Sequence, residues 1–294
     1  MRAGEIVQTF SERLDEHLKE KRTFLTVGLD PRPSSFPLPL KGSPPEKALK
    51  EFLWGIVDAT RDHCVAYKMQ FASYIAFGLE GVSLLPELAK HVGRSHITIL
   101  DIKAGDIPAT MELYRSGIFG RFGFDAMTIH PFLGWDSVEA ALTDTGKGAF
   151  VLLHTSNAGA VDVQGVKTAS GVELWRTLMP KVRQLSAKGN LGAVVGATFP
   201  EALAEARAAL GPSVPLLVPG VGAQGATVEQ VMSGGIGGSG GALLVNSSRG
   251  ILYASSGDDW KEAAGKEARA LTQQMRESLR SVPGRASPAG PQPR

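Results

Sequence analysis

The fold is decided by a repeated unit, and residues 97–122 give its clearest copy: ITILDIKAGDIPATMELYRSGIFGRF. The stretch begins with an apolar, β-branched run from Ile97 to Lys103, which predicts a strand. Charged residues close that run, and a segment with helical spacing follows from Pro108 to Phe122. The stretch therefore predicts one strand, one charged loop and one helix.

The same unit recurs along most of the chain. Further apolar runs predict strands at Phe24 to Asp30, Val65 to Gln70, Ala126 to His130, Ala149 to Thr155, Leu191 to Ala197, Val214 to Gly220 and Ala242 to Ser248. Segments with helical spacing lie between them, including 46–62, 172–187 and 200–210. Nearly continuous apolar runs are typical of parallel strands that are covered on both faces. Eight such units favour an α/β fold of the closed (β/α)8 kind, a TIM barrel, over an open doubly wound sheet.

The regions outside this repeat set the expected domain limits. No shift in composition divides the middle of the chain, so we expect a single barrel domain over residues 1–281. An additional N-terminal helix from Ala3 to Lys19 is expected to cap the bottom of the barrel. Residues 282–294 are rich in Pro, Gly and Arg, which predicts a disordered tail. The proline-rich stretch from Pro31 to Pro45 directly follows a strand, so both an ordered loop over the barrel mouth and a disordered segment are open.

Composition excludes several classes of protein. The 31 basic and 29 acidic residues nearly balance, which argues against a general nucleic-acid or membrane surface. No stretch approaches the roughly 18 apolar residues of a membrane span. The first 21 residues mix acids and bases, unlike a signal peptide, so a cytoplasmic location is expected. Cys64 is the single cysteine of the chain, which excludes an intrachain disulfide and a multi-cysteine zinc site.

Charged residues close the first three predicted strands. Asp30 ends the first, Lys68 lies in the second, and the third carries Asp101 and Lys103, with Asp106 just beyond. Active sites of such barrels lie at the carboxyl ends of the strands. Because side chains alternate along a strand, Asp101 and Lys103 are expected on the same face. Burying several charges together is costly unless chemistry uses them, so this cluster is the predicted active site.

The strand-three segment also carries a family motif. Residues 101–110 read DIKAGDIPAT and fit the pattern D-x-K-x-x-D-I-x-x-T. In this pattern the chain resembles the orotidine 5′-phosphate decarboxylase family, and Asp30 and Lys68 match the other two charged positions of that family. The similarity runs from Phe24 to Ile251. The N-terminal helix and long first loop resemble the longer bacterial branch of the family.

A glycine-rich segment after the seventh strand suits an anion. Glycines in residues 219–225, which read PGVGAQG, let the backbone approach closely, and a helix expected to begin near Thr227 favours negative charge at its N-terminus. The loops after strands seven and eight are the usual phosphate site of such barrels. The resemblance assigns the same segment to the phosphate. The expected substrate-binding residues at this end are Pro219, Gly220, Gln224, Gly225 and Arg249.

The turn after the fifth strand is expected to bind the pyrimidine. Residues 154–159 read HTSNAG and occupy the place where the family uses a serine-containing turn to bind the base. The sequence does not choose between Ser156 and Asn157, and both are predicted to bind.

The resemblance implies that the chain decarboxylates orotidine 5′-phosphate to uridine 5′-phosphate in de novo pyrimidine biosynthesis. Loss of carbon dioxide leaves negative charge at C6 of the pyrimidine, and an ammonium group can stabilise this charge and supply a proton. Lys103 is therefore the expected proton donor, and Asp101 is expected to lie beside the substrate carboxylate. Lys68 and Asp106 complete the alternating charges. Neither a metal ion nor an organic cofactor is expected.

The remaining roles come from the resemblance alone. Asp30 would hold a ribose hydroxyl. Asp106 and Thr110 would reach across a homodimer interface into the partner's site.

Three alternatives remain open. The shorter D-x-K-x-x-D pattern is shared by ketogulonate-phosphate decarboxylases and hexulose-phosphate synthases, so a sugar-phosphate decarboxylase or aldolase is the main rival. Such an enzyme would need a divalent metal and a glutamate near the second strand, where this chain has Lys68, with Glu80 well beyond the strand end. A Schiff-base aldolase would need an unprotonated lysine, which nearby aspartates disfavour. A non-catalytic nucleotide-binding barrel would have no need of Lys103.

Overall fold

The computed structural model describes residues 8–222, 225–236 and 242–281. Within these ranges, parallel strands form a closed barrel in chain order, and the last strand pairs back to the first. The strands are β1 (Leu25–Gly28), β2 (Ala66–Gln70), β3 (Ile97–Ala104), β4 (Ala126–Ile129), β5 (Gly148–His154), β6 (Leu191–Val195), β7 (Leu216–Pro219) and β8 (Leu243–Ser247). The predicted (β/α)8 barrel is confirmed. The tail predicted at 282–294 lies outside the described residues.

Helices surround the barrel. They are α1 (Phe10–Lys21), α2 (Pro45–Thr60), α3 (Phe71–Ile75), α4 (Gly78–Val92), α5 (Pro108–Arg115), α6 (Trp135–Ala141), α7 (Leu174–Ser186), α8 (Pro200–Leu210), α9 (Val228–Ile236), α10 (Arg249–Leu252) and α11 (Trp260–Ser281). A π-helical segment, Ser116–Arg121, continues α5 and completes the helix predicted there. In the described part of the chain, no helix combines the length and the apolar character needed to cross a membrane.

The expected N-terminal helix is present as α1, two residues longer at its end than predicted. Its predicted start at Ala3 lies outside the described residues. A capping box of Thr9 and Glu12 begins the helix. The Thr9 side chain accepts a hydrogen bond from the Glu12 N–H, and the Thr9 N–H donates to the Glu12 carboxylate over 2.8 Å. The ring of Phe10 meets Phe150 of β5 edge-on, with centroids 5.9 Å apart. This helix therefore closes the amino-terminal end of the barrel.

Side-chain alternation divides the inside of the barrel into an apolar lower layer and a polar upper layer. The lower layer includes Ala66 and Ile99, which pack in one cluster with residues of α1. Two residues further along the same strands, Lys68 and Asp101 face the same interior, because side chains repeat every second residue along a strand. The outward faces of the strands pack against the helices in a second apolar cluster. The polar layer thus lies at the carboxyl ends of the strands.

The proline-rich loop after β1 is ordered. Phe36 and Leu40 are buried, and the ring of Phe36 stacks on Phe77 with centroids 5.9 Å apart. The N–H of Leu38 donates to the carbonyl of Ser256 over 2.8 Å. Of the two possibilities left open for this stretch, the structure has the ordered loop.

Arg207 of α8 fixes the segments that lead into β7 and β8. Its guanidinium donates to the carbonyls of Gly211, Val214, Gly235 and Ala242 over 2.6–2.8 Å. Burial lowers the pKa of Arg207 to about 10, so the group stays protonated at neutral pH. These hydrogen bonds tie the lower ends of the two strands that carry the predicted phosphate loops.

Candidate active site

Two lysines and two aspartates form an alternating array at the carboxyl ends of β1 to β3. Lys68 Nζ donates to Asp101 Oδ2 over 3.0 Å and lies 3.6 Å from Asp30 Oδ1. Lys103 Nζ donates to Asp101 Oδ1 over 2.6 Å. Residues that are far apart in the sequence thus meet in one cluster, in the order Asp30, Lys68, Asp101, Lys103.

A bulge in β3 places Lys103. The register of β3 against β4 shifts between Leu100 and Ala104, and Lys103 itself has a left-handed φ of 52°. Its N–H donates to Thr128 Oγ1 of β4 over 2.9 Å. Regular strand alternation predicted that Lys103 and Asp101 share a face. The two side chains do meet, but the bulge and not regular alternation brings them together. The bulge leaves 41% of the Lys103 side chain exposed, against 11% for Asp101.

Neighbouring charges fix the protonation states of Asp101 and Lys68. Burial alone would raise the pKa of Asp101, but the positive charges of Lys68 and Lys103 and their hydrogen bonds outweigh it and hold that pKa well below its ordinary value. Burial would likewise lower the pKa of Lys68, but Asp30 and Asp101 raise it above the ordinary value. At neutral pH, Asp101 is an anion and Lys68 is a cation. A lysine held protonated in this way is a poor Schiff-base nucleophile.

A cavity of about 660 Å³ opens above the array. Its volume falls within the roughly 300–1,000 Å³ of small-molecule sites. The residues predicted from sequence that line it are Asp30, Lys68, Asp101, Lys103, Ser156, Asn157, Pro219, Gly220 and Arg249. Among the described residues, no three His, Cys, Asp or Glu side chains are grouped so that they could hold a metal ion.

The predicted phosphate end of the cavity is built from the loops after β7 and β8. Gly220 has a φ of 107°, which permits the chain to turn directly after Pro219. Arg249 is the first residue of α10 and lines the cavity. The helix expected near Thr227 is α9, and the Thr227 hydroxyl accepts the N–H of Gln230 at its start over 3.2 Å. Backbone of the β7 loop and one guanidinium therefore line this end of the cavity.

The predicted pyrimidine end is a braced turn. Two hydrogen bonds of 2.8 Å join Gln164 to Thr155. The Gln164 side-chain oxygen accepts from the Thr155 N–H, and the Gln164 amide nitrogen donates to the Thr155 hydroxyl. The hydroxyl of Thr155 in turn donates to Asn157 Oδ1 over 2.7 Å. A Cβ on Gly196 would lie 2.7 Å from the Ser156 backbone nitrogen, so the end of β6 must carry glycine for the turn to approach. Ser156 and Asn157 both line the cavity, and both remain predicted ligands.

Similarity to known proteins agrees with this geometry. Residues 23–265 match the model of the orotidine 5′-phosphate decarboxylase / HUMPS family. The chain belongs to this family. It is 41% identical over 267 residues to the orotidine 5′-phosphate decarboxylase of Bordetella pertussis, covering 90% of this chain and 96% of that protein. The protein of the same name from Variovorax paradoxus is 43% identical over 269 residues, covering 89% and 96%. The solved structure of Leishmania donovani OMP decarboxylase matches with a TM-score of 0.76 at 30% identity, covering 92% of this chain and 99% of that one. The resemblance to this decarboxylase family is confirmed.

Some positions of the family motif lie away from the array. Asp106 and Thr110 are partly exposed and do not line the cavity. Asp106 Oδ1 accepts the N–H of Ile107 over 2.7 Å. Gly225 is exposed and outside the cavity lining, although its φ of 91° fits a glycine turn. Gln224 lies outside the described residues.

Other residues at the site are not distinguished by the family motif. Thr128 donates to Asp101 Oδ1 over 2.8 Å, and Gln70 donates to Asp30 Oδ1 through its N–H over 3.0 Å. Gln164 and Asn246 also line the cavity. Thr128 and Asn246 lie two residues after an inward apolar position of their strands, so side-chain alternation could have indicated them. Gln164 lies in a loop and has no comparable signal.

Proposed function

We propose that this chain converts orotidine 5′-phosphate to uridine 5′-phosphate and carbon dioxide in de novo pyrimidine biosynthesis. The observation that carries the proposal is the array of Asp30, Lys68, Asp101 and Lys103 beside a cavity of nucleotide size. The names of relatives that are 41–43% identical to the chain support the same reaction.

The reaction requires charge stabilisation more than covalent chemistry. The bond between C6 and the carboxyl carbon breaks, carbon dioxide leaves, and the electron pair remains on C6. No carbonyl lies next to C6 to take up this charge, so a nearby cation must stabilise it. The Lys103 ammonium then gives a proton to C6, and its partial exposure lets it regain one from solvent. The sum of the steps consumes one proton for each carbon dioxide released.

Asp101 would act on the substrate carboxylate and on Lys103. As an anion it repels a neighbouring carboxylate, and this repulsion ends when carbon dioxide leaves. Its 2.6 Å contact holds the Lys103 ammonium in place. Lys68 is 3% exposed and offsets the charges of Asp30 and Asp101. The array is thereby fixed before the substrate arrives, which is the condition for electrostatic catalysis.

The rest of the cavity would bind the nucleotide. Asp30 would take a ribose hydroxyl, and Ser156 or Asn157 would take the pyrimidine. The phosphate would lie against the backbone of the β7 loop and against Arg249, since guanidinium groups bind phosphate through paired hydrogen bonds. The proposed phosphate ligands are Pro219, Gly220, Gln224, Gly225 and Arg249.

We further propose that the working form is a homodimer in which Asp106 and Thr110 complete the partner's site. Both residues follow β3, and the exposed apolar residues Ile107 and Leu113 lie near them in the chain. Exposed apolar side chains that form a patch mark protein interfaces. Asp106, which is partly exposed, would thereby supply the remaining charge of the family pattern to a neighbouring subunit.

The partners follow from the same assignment. The proposed ligand is one small anionic nucleotide, and the proposal includes neither a nucleic acid nor a membrane. A phosphorylated nucleotide does not cross membranes freely, so we place the enzyme in the cytoplasm, where its substrate would be made. The charge chemistry uses protein groups alone, so we also expect no metal ion and no organic cofactor.

The test is decarboxylation of orotidine 5′-phosphate by the purified full chain. Ultraviolet absorbance follows the reaction, and chromatography identifies the product. Lys103→Ala should lower kcat by about 10²- to 10⁴-fold or more, since the proton donor and its charge both disappear. Lys188→Ala, which removes an exposed lysine, is the matched control and should leave kcat unchanged.

Other outcomes would favour the alternatives. Activity should persist after exhaustive chelation, and a requirement for magnesium together with turnover of sugar phosphates would indicate a sugar-phosphate enzyme. Binding of uridine 5′-phosphate without any turnover would indicate a non-catalytic barrel. Near-normal activity of Lys103→Ala would exclude the proposed proton donor.

A further inference from the structure

A buried amide on β8 faces the cavity with no hydrogen-bond partner. Asn246 is 6% exposed and lines the cavity, and its Oδ1 atom makes no hydrogen bond within the described residues. Thr26 occupies the paired position on β1, but its hydroxyl is also without a partner, so it does not satisfy the amide. Leaving a buried polar atom unpaired costs stability. A buried polar atom left unpaired on a residue that lines a cavity indicates a ligand group that completes it.

The neighbouring Gly28 shows what lies around this amide. A Cβ added to Gly28 would lie 3.2 Å from Asn246 Oδ1, 3.1 Å from Asp30 Oδ2 and 2.7 Å from Ser248 Cβ. Because Gly28 has no side chain, Asn246 Oδ1 and Asp30 Oδ2 both pack close to it and therefore lie near one another. Asp30 uses its other oxygen, Oδ1, to accept the N–H of Gln70. Its Oδ2 atom is thus the one that lies beside Asn246.

Two oxygens that accept hydrogen bonds suit a pair of hydroxyl groups. The carboxylate oxygen and the amide oxygen can each accept from one hydroxyl, and a ribose carries two neighbouring hydroxyls. These two oxygens lie between the end of β1, which leads to Asp30, and β8, which leads to Arg249. In a nucleotide, the ribose lies between the base and the phosphate.

We propose that Asn246 is a further substrate-binding residue, which accepts a hydrogen bond from one ribose hydroxyl beside the hydroxyl that donates to Asp30. This inference rests on the proposed function, because it takes a nucleotide as the ligand. It adds a contact from β8 to a site otherwise assigned to β1, β2 and β3 and to the loops.

The test compares uridine 5′-phosphate with its 2′-deoxy and 3′-deoxy forms by calorimetric titration of the full chain. Asn246→Leu keeps the volume and removes the amide. It should weaken binding of uridine 5′-phosphate by about 2- to 13-fold, the effect of one neutral hydrogen bond. For the nucleotide that lacks the recognised hydroxyl, the same substitution should change affinity less than about twofold. Thr26→Val, which removes the neighbouring hydroxyl outside the cavity lining, should leave all three affinities unchanged.

Two results would overturn the inference: an unchanged affinity for uridine 5′-phosphate, or an equal loss for all three nucleotides. If Asn246→Leu does not fold, as judged by circular dichroism, a crystal structure of the wild type with uridine 5′-phosphate decides. The Asn246 amide should then contact a ribose hydroxyl directly or through one water, and a structure without that contact refutes the inference. Turnover of orotidine 5′-phosphate by the wild type is measured separately. Failure of the proposed function is therefore seen independently of failure at Asn246.

Discussion

Replacing Asp101 by asparagine tests whether the charge array is held together by its central carboxylate. The substitution keeps the shape of the side chain and removes the anion that accepts from Lys68, Lys103 and Thr128 over 2.6–3.0 Å. The ion pair with the exposed Lys103 contributes little to the expected loss of folding stability, because a solvent-exposed ion pair is worth about 0–1 kcal/mol. Lys68 decides the magnitude, since it is 3% exposed and keeps Asp30, at 3.6 Å, as its one charged partner among the described residues. Removing one partner of a buried pair costs about 3–5 kcal/mol.

Urea denaturation at pH 7 is the assay for Asp101→Asn, and the free energy of unfolding should fall by about 3–5 kcal/mol. The folded-state pKa of Asp101 is lowered, so its stabilisation is present above the unfolded value of about 3.9 and is lost as pH falls through the folded pKa. The folded-state pKa of Lys68 is raised, so its stabilisation is present below about 10.4 and is lost only as pH rises past the folded value. The difference between wild type and variant should therefore be constant near neutrality and shrink in acid below about pH 4.

A double variant supplies the control. Adding Lys68→Met to Asp101→Asn removes the uncompensated buried ammonium, so part of the lost stability should return. A loss below about 1 kcal/mol in Asp101→Asn, the value of a surface pair, would refute the reasoning. A double variant whose loss equals the sum of the two single losses would refute it equally, because independent sites add.

Three further predictions concern the dimer, the phosphate and the fold. If each site uses Asp106 of the partner, mixed dimers of Lys103→Ala and Asp106→Ala should regain activity, because one of their two sites then holds both native residues. Verified heterodimers that stay inactive would show that each site is built within one chain. Arg249→Ala should lower kcat/KM for orotidine 5′-phosphate by roughly tenfold to a hundredfold, the value of one charge-assisted hydrogen bond. It should lower kcat/KM far less for orotidine, which lacks the phosphate. Equal losses on both substrates would contradict a phosphate contact. Arg207→Met should lower the free energy of unfolding by at least about 3 kcal/mol, because four carbonyls lose a charged donor. The exposed Arg183, which makes one hydrogen bond of 3.3 Å, gives the control Arg183→Met, and an equal loss there would contradict a special role of Arg207.

The local pattern of the sequence was enough to predict the barrel and most of its charged array. Apolar β-branched runs bounded by charged residues specify strands covered on both faces, and parallel strands of one barrel bring their carboxyl ends to one mouth. Asp30, Lys68 and Asp101 could therefore be placed together although they lie on different strands. The resemblance to the family added the proposed role of Lys103, while the position of Arg249 just past the eighth strand already indicated a phosphate contact.

Only the tertiary structure decided the contacts that depend on register between strands. The bulge that turns Lys103 toward Asp101 is held by Thr128, 25 residues away, and no local pattern specifies which hydroxyl lies opposite which amide. Asn246 Oδ1 can lie beside Asp30 Oδ2 because Gly28, on the strand paired with β8, has no side chain. Closing the barrel sets these registers cooperatively, because each strand pairs with two neighbours and a shift of one residue would exchange its inward and outward faces.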